Sequence, residues 1–240
     1  MSANERLSRP QAVELLSRGE IEVVGRMPES SNATLYAKLT LEDLVCAAIY
    51  KPARGERPLW DFPPGLHRRE VAAWMLSEAL GWELIPPTIL RMEAPYGEGS
   101  FQLFIDADFS EHYFSLADRP ELARHFIRLA AFDLIANNTD RKSGHVVIDA
   151  DGHIWGIDNG LTFHTEPKLR TVIWEFGGTS LSDEELAAVE RVASEAESVF
   201  EGLLDPAEIE AFRARARYLV RKRKLPSLNP DLRPYPWPLV

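Results

Sequence analysis

A single cysteine, Cys46, stands in a chain of 240 residues, which removes any internal disulfide. Its place in an apolar, strand-like run reads as an inert buried thiol. Long hydrophobic runs are missing too. No stretch approaches the roughly 18 apolar residues of a membrane span, and the opening MSANERLSRPQ holds no apolar core of signal type. Basic charge is scarce: 27 Lys and Arg face 37 Asp and Glu, a net charge of −10. That balance argues against broad electrostatic binding to nucleic acid or to an anionic membrane surface. There is no internal repeat and no low-complexity linker able to separate independent domains. A hydrophobic fraction of 45% and a charged fraction of 27% are ordinary for a globular protein. Together these features predict a soluble, cytoplasmic protein of one domain or two lobes.

What is present changes character along the chain. Residues 10–18 predict a short helix ended by Gly19. Ile21 to Met27, Ala33 to Leu39 and Val45 to Lys51 predict strands, the last limited by Pro52, which has no N–H for a ladder. Residues 53–66, ARGERPLWDFPPGL, predict a loop. Arg68 to Leu80 predicts a helix with Val71, Trp74, Met75 and Glu78 on one side and Gly81 as its stop. Strands follow at Thr88 to Met92 and Ser100 to Ile105. Beyond them, Leu122 to Ala136, 183–203 and 206–222 predict helices, the second opening on Ser182 in a capping pattern. The Pro-rich end, LPSLNPDLRPYPWPLV, predicts either a loose tail or a strap packed by Tyr235 and Trp237. A β-rich half leading into an α-rich half predicts an α+β fold with a small N-lobe, 1–106, and a mostly helical C-lobe, 107–240.

The densest chemistry lies in 137–160, NNTDRKSGHVVIDADGHIWGIDNG. Val146 to Ile148 and Ile154 to Ile157 predict a hairpin turned at Asp149-Ala150-Asp151-Gly152. Asp140 and His145 then stand at its entrance and Asp158 at its exit, so all three share one end of the ribbon. One acidic group to orient a hydroxyl and two groups to hold a metal against phosphates are the parts phosphoryl transfer needs. The same pattern also fits a surface hairpin whose acidic residues keep an edge soluble. Upstream, Glu29-Ser30-Ser31-Asn32 supplies a turn for phosphates, Lys51 a strand-end lysine and Glu70 a carboxylate early in the next helix. Trp60 and Phe62, in the Pro-rich loop, read either as packing anchors or as exposed aromatics suited to gripping an acceptor or a membrane. Arg141 and Lys142, beside Asp140, read as groups that steer an anionic acceptor or as ordinary solvated charges.

IYKP (49–52), REVAAWMLSEALGWELIPPT (69–88), GSFQLFID (99–106), NTDR (138–141) and IDNGLTF (157–163) together resemble the phosphatidylinositol 3- and 4-kinase superfamily. The likeness is nearest to the type II phosphatidylinositol 4-kinases and to short actinobacterial kinase-like proteins, and covers roughly residues 20–165. It implies a kinase-like two-lobed fold and the use of ATP with Mg²⁺ or Mn²⁺. Ser30 and Ser31 would lie under the phosphates, Lys51 would meet the α and β oxygens, and Glu70 would hold Lys51. Gln102, Leu103 and Phe104 would form the hinge at the adenine edge, with Ile49 and Ile157 covering the ring. Asp140 would orient the acceptor hydroxyl, and Asp158 would bind metal.

One departure stands out. Where those families place an Asn as second metal ligand, five residues after the catalytic Asp, this chain has His145. An imidazole suits Mn²⁺ better than Mg²⁺. The residues therefore predict a phosphotransferase acting on a lipid, protein or small-metabolite hydroxyl, or a pseudokinase that uses nucleotide as a regulatory or scaffold switch. A loop lacking cysteines predicts no stable membrane attachment.

Overall fold

The computed structural model describes residues 7–27, 32–229, 231 and 233–240. Helix α1 (Arg9–Arg18) starts where Gln11 Oε1 accepts from the Ser8 N–H at 2.9 Å, and stops at Gly19. Strands β1 (Glu20–Arg26), β2 (Leu35–Leu41) and β3 (Leu44–Pro52) follow. After the loop come α2 (Leu66–Leu80), β4 (Thr88–Arg91) and β5 (Gly99–Leu103). The strands form one antiparallel sheet in the order β1-β2-β3-β5-β4. Gly99 pairs with Pro52 at a close crossing, where a Cβ would stand 2.5 Å from the Lys51 carbonyl oxygen. Only glycine fits there, and that fixes the register that carries Lys51.

Leu15 and Leu16 of α1 cover the sheet together with Leu39, Cys46, Tyr50 and Phe101. Tyr50 and Phe101 stack at 4.2 Å between ring centroids. Burial pushes the Cys46 thiol up to about 11, as befits an inert core thiol.

The second half contains α3 (Tyr113–Leu116), α4 (Ala123–Ala136), the hairpin β6 (Val146–Ile148) and β7 (Ile154–Gly156), then α5 (Asp183–Ser194), α6 (Ala196–Val199) and α7 (Pro206–Lys222). The hairpin turns at Gly152, with φ +82. The segment predicted as one helix over 183–203 is broken at Glu195, whose φ of −94 and ψ of 8 depart from the helical path.

Helix α2 differs most from its expected form. Instead of one buried side it is buried nearly all round, while Met75 and Glu78, assigned to its inner face, are only half-buried. The reason is tertiary: Ala72, Trp74, Leu76 and Leu80 join the large core of the helical half, and Arg69 forms a buried ion pair with Glu208 of α7. The helix is thus a wedge between sheet and helices. Its first turn is capped from a distance, since Glu56 accepts the backbone N–H of Gly65 at 3.0 Å and of His67 at 2.8 Å.

The Pro-rich end is a strap, and its backbone holds it in place. The Pro234 carbonyl accepts from Thr171 N–H at 3.0 Å and from Trp174 Nε1 at 3.1 Å, and the Leu239 carbonyl from Ser143 N–H at 2.8 Å. Tyr235 and Trp237, expected to pack it, are instead exposed, Trp237 by 88%. Among the described residues, no helix is long and apolar enough to cross a membrane.

Candidate active site

Lys51 leaves the end of β3 and meets two carboxylates that arrive from distant parts of the chain. Its ammonium donates to Glu70 Oε1 of α2 and, at 2.7 Å, to Asp158 Oδ1 just past β7. Glu70 is held in turn by the Asn159 N–H, which donates to Oε2 at 3.0 Å. Gly160 then passes close by, where a Cβ would sit 3.3 Å from Glu70 Oε1. Burial works against the Lys51 ammonium, yet Asp158 and Glu70 outweigh it and hold its pKa above the ordinary lysine value. Lys51 in turn is the main reason that the Asp158 carboxyl lies far below the usual carboxylate range. Glu70 is pushed the other way by burial, against the pull of Lys51.

Asp158 sits at φ 56, a left-handed conformation uncommon for a residue with a side chain. Strain of this kind persists where surroundings over-determine it and collects at functional sites. His145 faces the same carboxylate, with Nε2 3.5 Å from Asp158 Oδ2. Its other nitrogen, Nδ1, lies 2.9 Å from the Asp140 carbonyl oxygen and 3.5 Å from the Lys142 N–H; the nearer partner is an acceptor only, so Nδ1 is assigned the proton. Burial pushes the His145 pKa down to about 4. The ring is therefore neutral at pH 7, and a lone pair on Nε2 points toward a carboxylate oxygen. Two acceptors in that posture suit a cation placed between them. Among the described residues there is no cluster of three or more His, Cys, Asp or Glu side chains able to enclose a metal. The donor set is one carboxylate and one imidazole, which fits an ion whose remaining ligands come from phosphates and water.

Asp140 completes the group. Lys142 donates to its Oδ2 at 2.8 Å, and burial raises its pKa while Lys142 opposes the rise. Lys51, Glu70, Asp140, His145 and Asp158 all line one cavity of about 510 Å³. Lys142, read from the sequence as a group that steers an anionic acceptor, lines it as well, as do Glu56 and His67, whose places local pattern did not reveal. Glu56 is a loop glutamate like any other until the fold sets it against His67, 2.6 Å from its Nδ1. Ser30 and Ser31 lie outside the described residues; the adjoining Asn32, Ala33 and Thr34 line the cavity.

The adenine-contact set is not gathered in this way. Ile49, Gln102, Leu103, Phe104 and Ile157 are not part of the cavity wall. Leu103 N–H donates to the Pro87 carbonyl at 2.8 Å and Phe104 N–H to that of Ala47 at 3.0 Å, so neither is free to donate to an adenine edge. The Gln102 amide is engaged with Thr88 Oγ1 at 3.0 Å. Ile157 N–H donates to the His145 carbonyl, which ties His145 to the chain just ahead of Asp158.

Arg141 does not steer an acceptor. It is fully buried, forks onto Asp133 of α4, and donates to the Ile157 carbonyl at 2.9 Å and Asn159 Oδ1 at 2.7 Å. The same guanidinium thus braces the loop bearing Asp140 against the segment bearing Asp158. Phe62 is likewise buried, under Arg69 and against the His164 ring, while Trp60 is 96% exposed.

Similarity to known proteins follows the same lines. The chain is 38% identical over 263 aligned positions to Protein Rv2133c of Mycobacterium tuberculosis, across 93% of this chain and 94% of that protein. The chain belongs to the Rv2133c family. No protein-family model matches it. Two solved structures are similar to this chain in fold. The structure of hydra Fam20 with sugar aligns at a TM-score of 0.60 and 12% identity over 89% of this chain and 87% of its own. The Helicobacter pylori proinflammatory kinase CtkA aligns at 0.50 and 12% identity over 87% and 94%. At that identity the likeness speaks for the fold, which is α+β, two-lobed and kinase-like.

Proposed function

We propose that this protein is an ATP-dependent phosphotransferase that moves the γ-phosphoryl group to a hydroxyl acceptor. The observation that carries the reading is Lys51 held between Glu70 and Asp158 in the cavity that also contains Asp140. The motif resemblance to type II phosphatidylinositol 4-kinases and the kinase-like fold support it. Lys51 would neutralise the α and β oxygens, and Glu70 keeps its ammonium aimed. Asp158 and His145 would hold Mg²⁺ or Mn²⁺, which supplies charge neutralisation at the phosphates when bound. The acceptor oxygen forms a bond to the γ-phosphorus as the bond from that phosphorus to the β,γ-bridging oxygen breaks. ADP leaves with the electron pair and the hydroxyl proton passes to Asp140.

Substitution Asp140→Asn tests the reading. ATP consumption with Mn²⁺ should fall by about 10²–10⁴-fold, the range for losing a positioned acid or base, while ATP binding survives. Unchanged turnover would remove Asp140 from the mechanism. His145, in place of an amide ligand, favours a second reading: a nucleotide-binding pseudokinase acting as a regulatory or scaffold protein. ATP-dependent thermal stabilisation with no phosphate transfer under either metal would select it.

A further inference from the structure

A second cavity, of about 500 Å³, opens on the other side of Asp140. Asp140 and Leu161 line both cavities, so they form a common wall between the place for ATP phosphates and a separate chamber. The chamber has an unusual composition for a chain of net charge −10. Lys168, Arg170 and Arg233 bring three cations to it, and Trp60, Phe62, Tyr235 and Trp237 four aromatic side chains. The acidic groups that line it are Asp61 and Asp140, of which Asp140 is already paired with Lys142.

The cations stand on fixed backbone. Arg170 N–H donates to the Asn138 carbonyl at 2.9 Å and the Arg170 carbonyl accepts from Arg141 N–H at 3.1 Å, so its main chain is stitched to both sides of Asp140. Arg233 precedes Pro234, whose carbonyl anchors the strap to Thr171 and Trp174. Among the described residues, neither guanidinium has an acidic partner within ion-pair distance. Lys168 donates to the Asp61 carbonyl at 2.7 Å, which orients its ammonium along the chamber wall. Trp60 is 96% and Trp237 88% exposed. Lys168 has Glu166 within 3.7 Å, so the unmatched charge is that of the two guanidiniums, and two large apolar ring systems in water beside them are costly surface unless something covers them.

Resting on the phosphotransferase reading, we infer that the acceptor is a soluble phosphorylated sugar, bound in this chamber with one ring hydroxyl at Asp140. Indole faces pack on the C–H face of a sugar ring and leave its edge hydroxyls free, and the two arginines offer forked donors to its phosphate. A chamber of this size lies within the range of small-molecule sites. The transfer is the one written above: the ring hydroxyl oxygen gains the phosphoryl group, ADP departs with the electron pair, and the proton goes to Asp140.

The test titrates the full chain with a panel of hexose, pentose and cyclitol phosphates, with the matching neutral sugars, and with phosphatidylinositol vesicles. Tryptophan fluorescence reads acceptor binding without ATP, and Mn²⁺-ATP binding and consumption are measured separately. The expected result is that a sugar phosphate binds at least tenfold more tightly than its neutral parent and stimulates ATP consumption. Arg170→Ala with Arg233→Ala should lower that acceptor affinity at least tenfold, and Trp60→Phe should reduce the fluorescence response. Mn²⁺-ATP binding with no panel member bound, or with vesicles alone bound, would overturn the acceptor assignment and leave the phosphotransferase reading standing. Sugar-phosphate binding without any ATP binding would overturn that reading, and with it the acceptor role.

Discussion

Two ionic clusters lie within a few residues of each other along the chain and obey opposite rules. Around Arg141 every charge is matched: one guanidinium meets one carboxylate, Asp133, and its spare donors find the Ile157 carbonyl and Asn159. No part of either side chain reaches solvent. Around Lys51 the balance is left open. Two lysines, Lys51 and Lys142, face three carboxylates, Glu70, Asp140 and Asp158, and the Asp158 side chain is 56% exposed to the cavity. A closed, neutral cluster holds elements together; an open one with surplus acceptors leaves room for the cation proposed above.

The same chemical change should separate the two. Asp133→Asn leaves Arg141 buried without its counter-ion and should cost about 3–5 kcal/mol of stability, read as a lower thermal midpoint by circular dichroism. A loss under about 1 kcal/mol would show that the buried pair is no brace.

Next in size is a pH effect at the open cluster. His145 is held at about 4 in the folded protein, below its unfolded value of about 6.5. The unfolded chain therefore binds more protons between these values, so this group's contribution is complete above about pH 6.5 and is lost as pH falls toward 4. The loss should reach up to about 3 kcal/mol, visible as a slope in denaturation midpoint that His145→Asn abolishes.

Smallest in stability is Asp158→Asn. Asparagine tolerates the left-handed backbone at this position, and Lys51 keeps Glu70 as partner, so stability should move by less than about 1 kcal/mol. Metal-dependent ATP affinity should nevertheless drop at least tenfold, measured by calorimetry with and without Mn²⁺. Equal losses of stability for Asp133→Asn and Asp158→Asn would erase the distinction between the clusters.

Local rules made much of this legible beforehand. The Asp-Ala-Asp-Gly turn and its β-branched flanks announced the hairpin, and Gly19, Gly81 and Ser182 marked helix ends. Lys51, Glu70, Asp140, His145 and Asp158 were recognisable from order and residue type, and they do share one cavity. The failures have a common source. Helix α2 gives no one-sided pattern because both halves of the protein press on it. Arg141 looks like any charged loop residue until Asp133, eight positions earlier on α4, turns out to face it. Phe62 and Trp60 are near neighbours of similar character in one loop, yet packing buries the first and leaves the second in water.

The amino-acid order by itself set the turns, the caps, the strand-ending Pro52 and the chemical types gathered around the hairpin, because each depends on backbone preferences and neighbours a few residues away. Only the tertiary structure decided that Lys51 would touch Asp158, 107 positions on, that Arg141 would vanish into the interior, and that Asp140 would stand between two chambers. Charge, burial and the direction of a lone pair are properties of what surrounds a side chain, and those surroundings come from segments that local sequence cannot see.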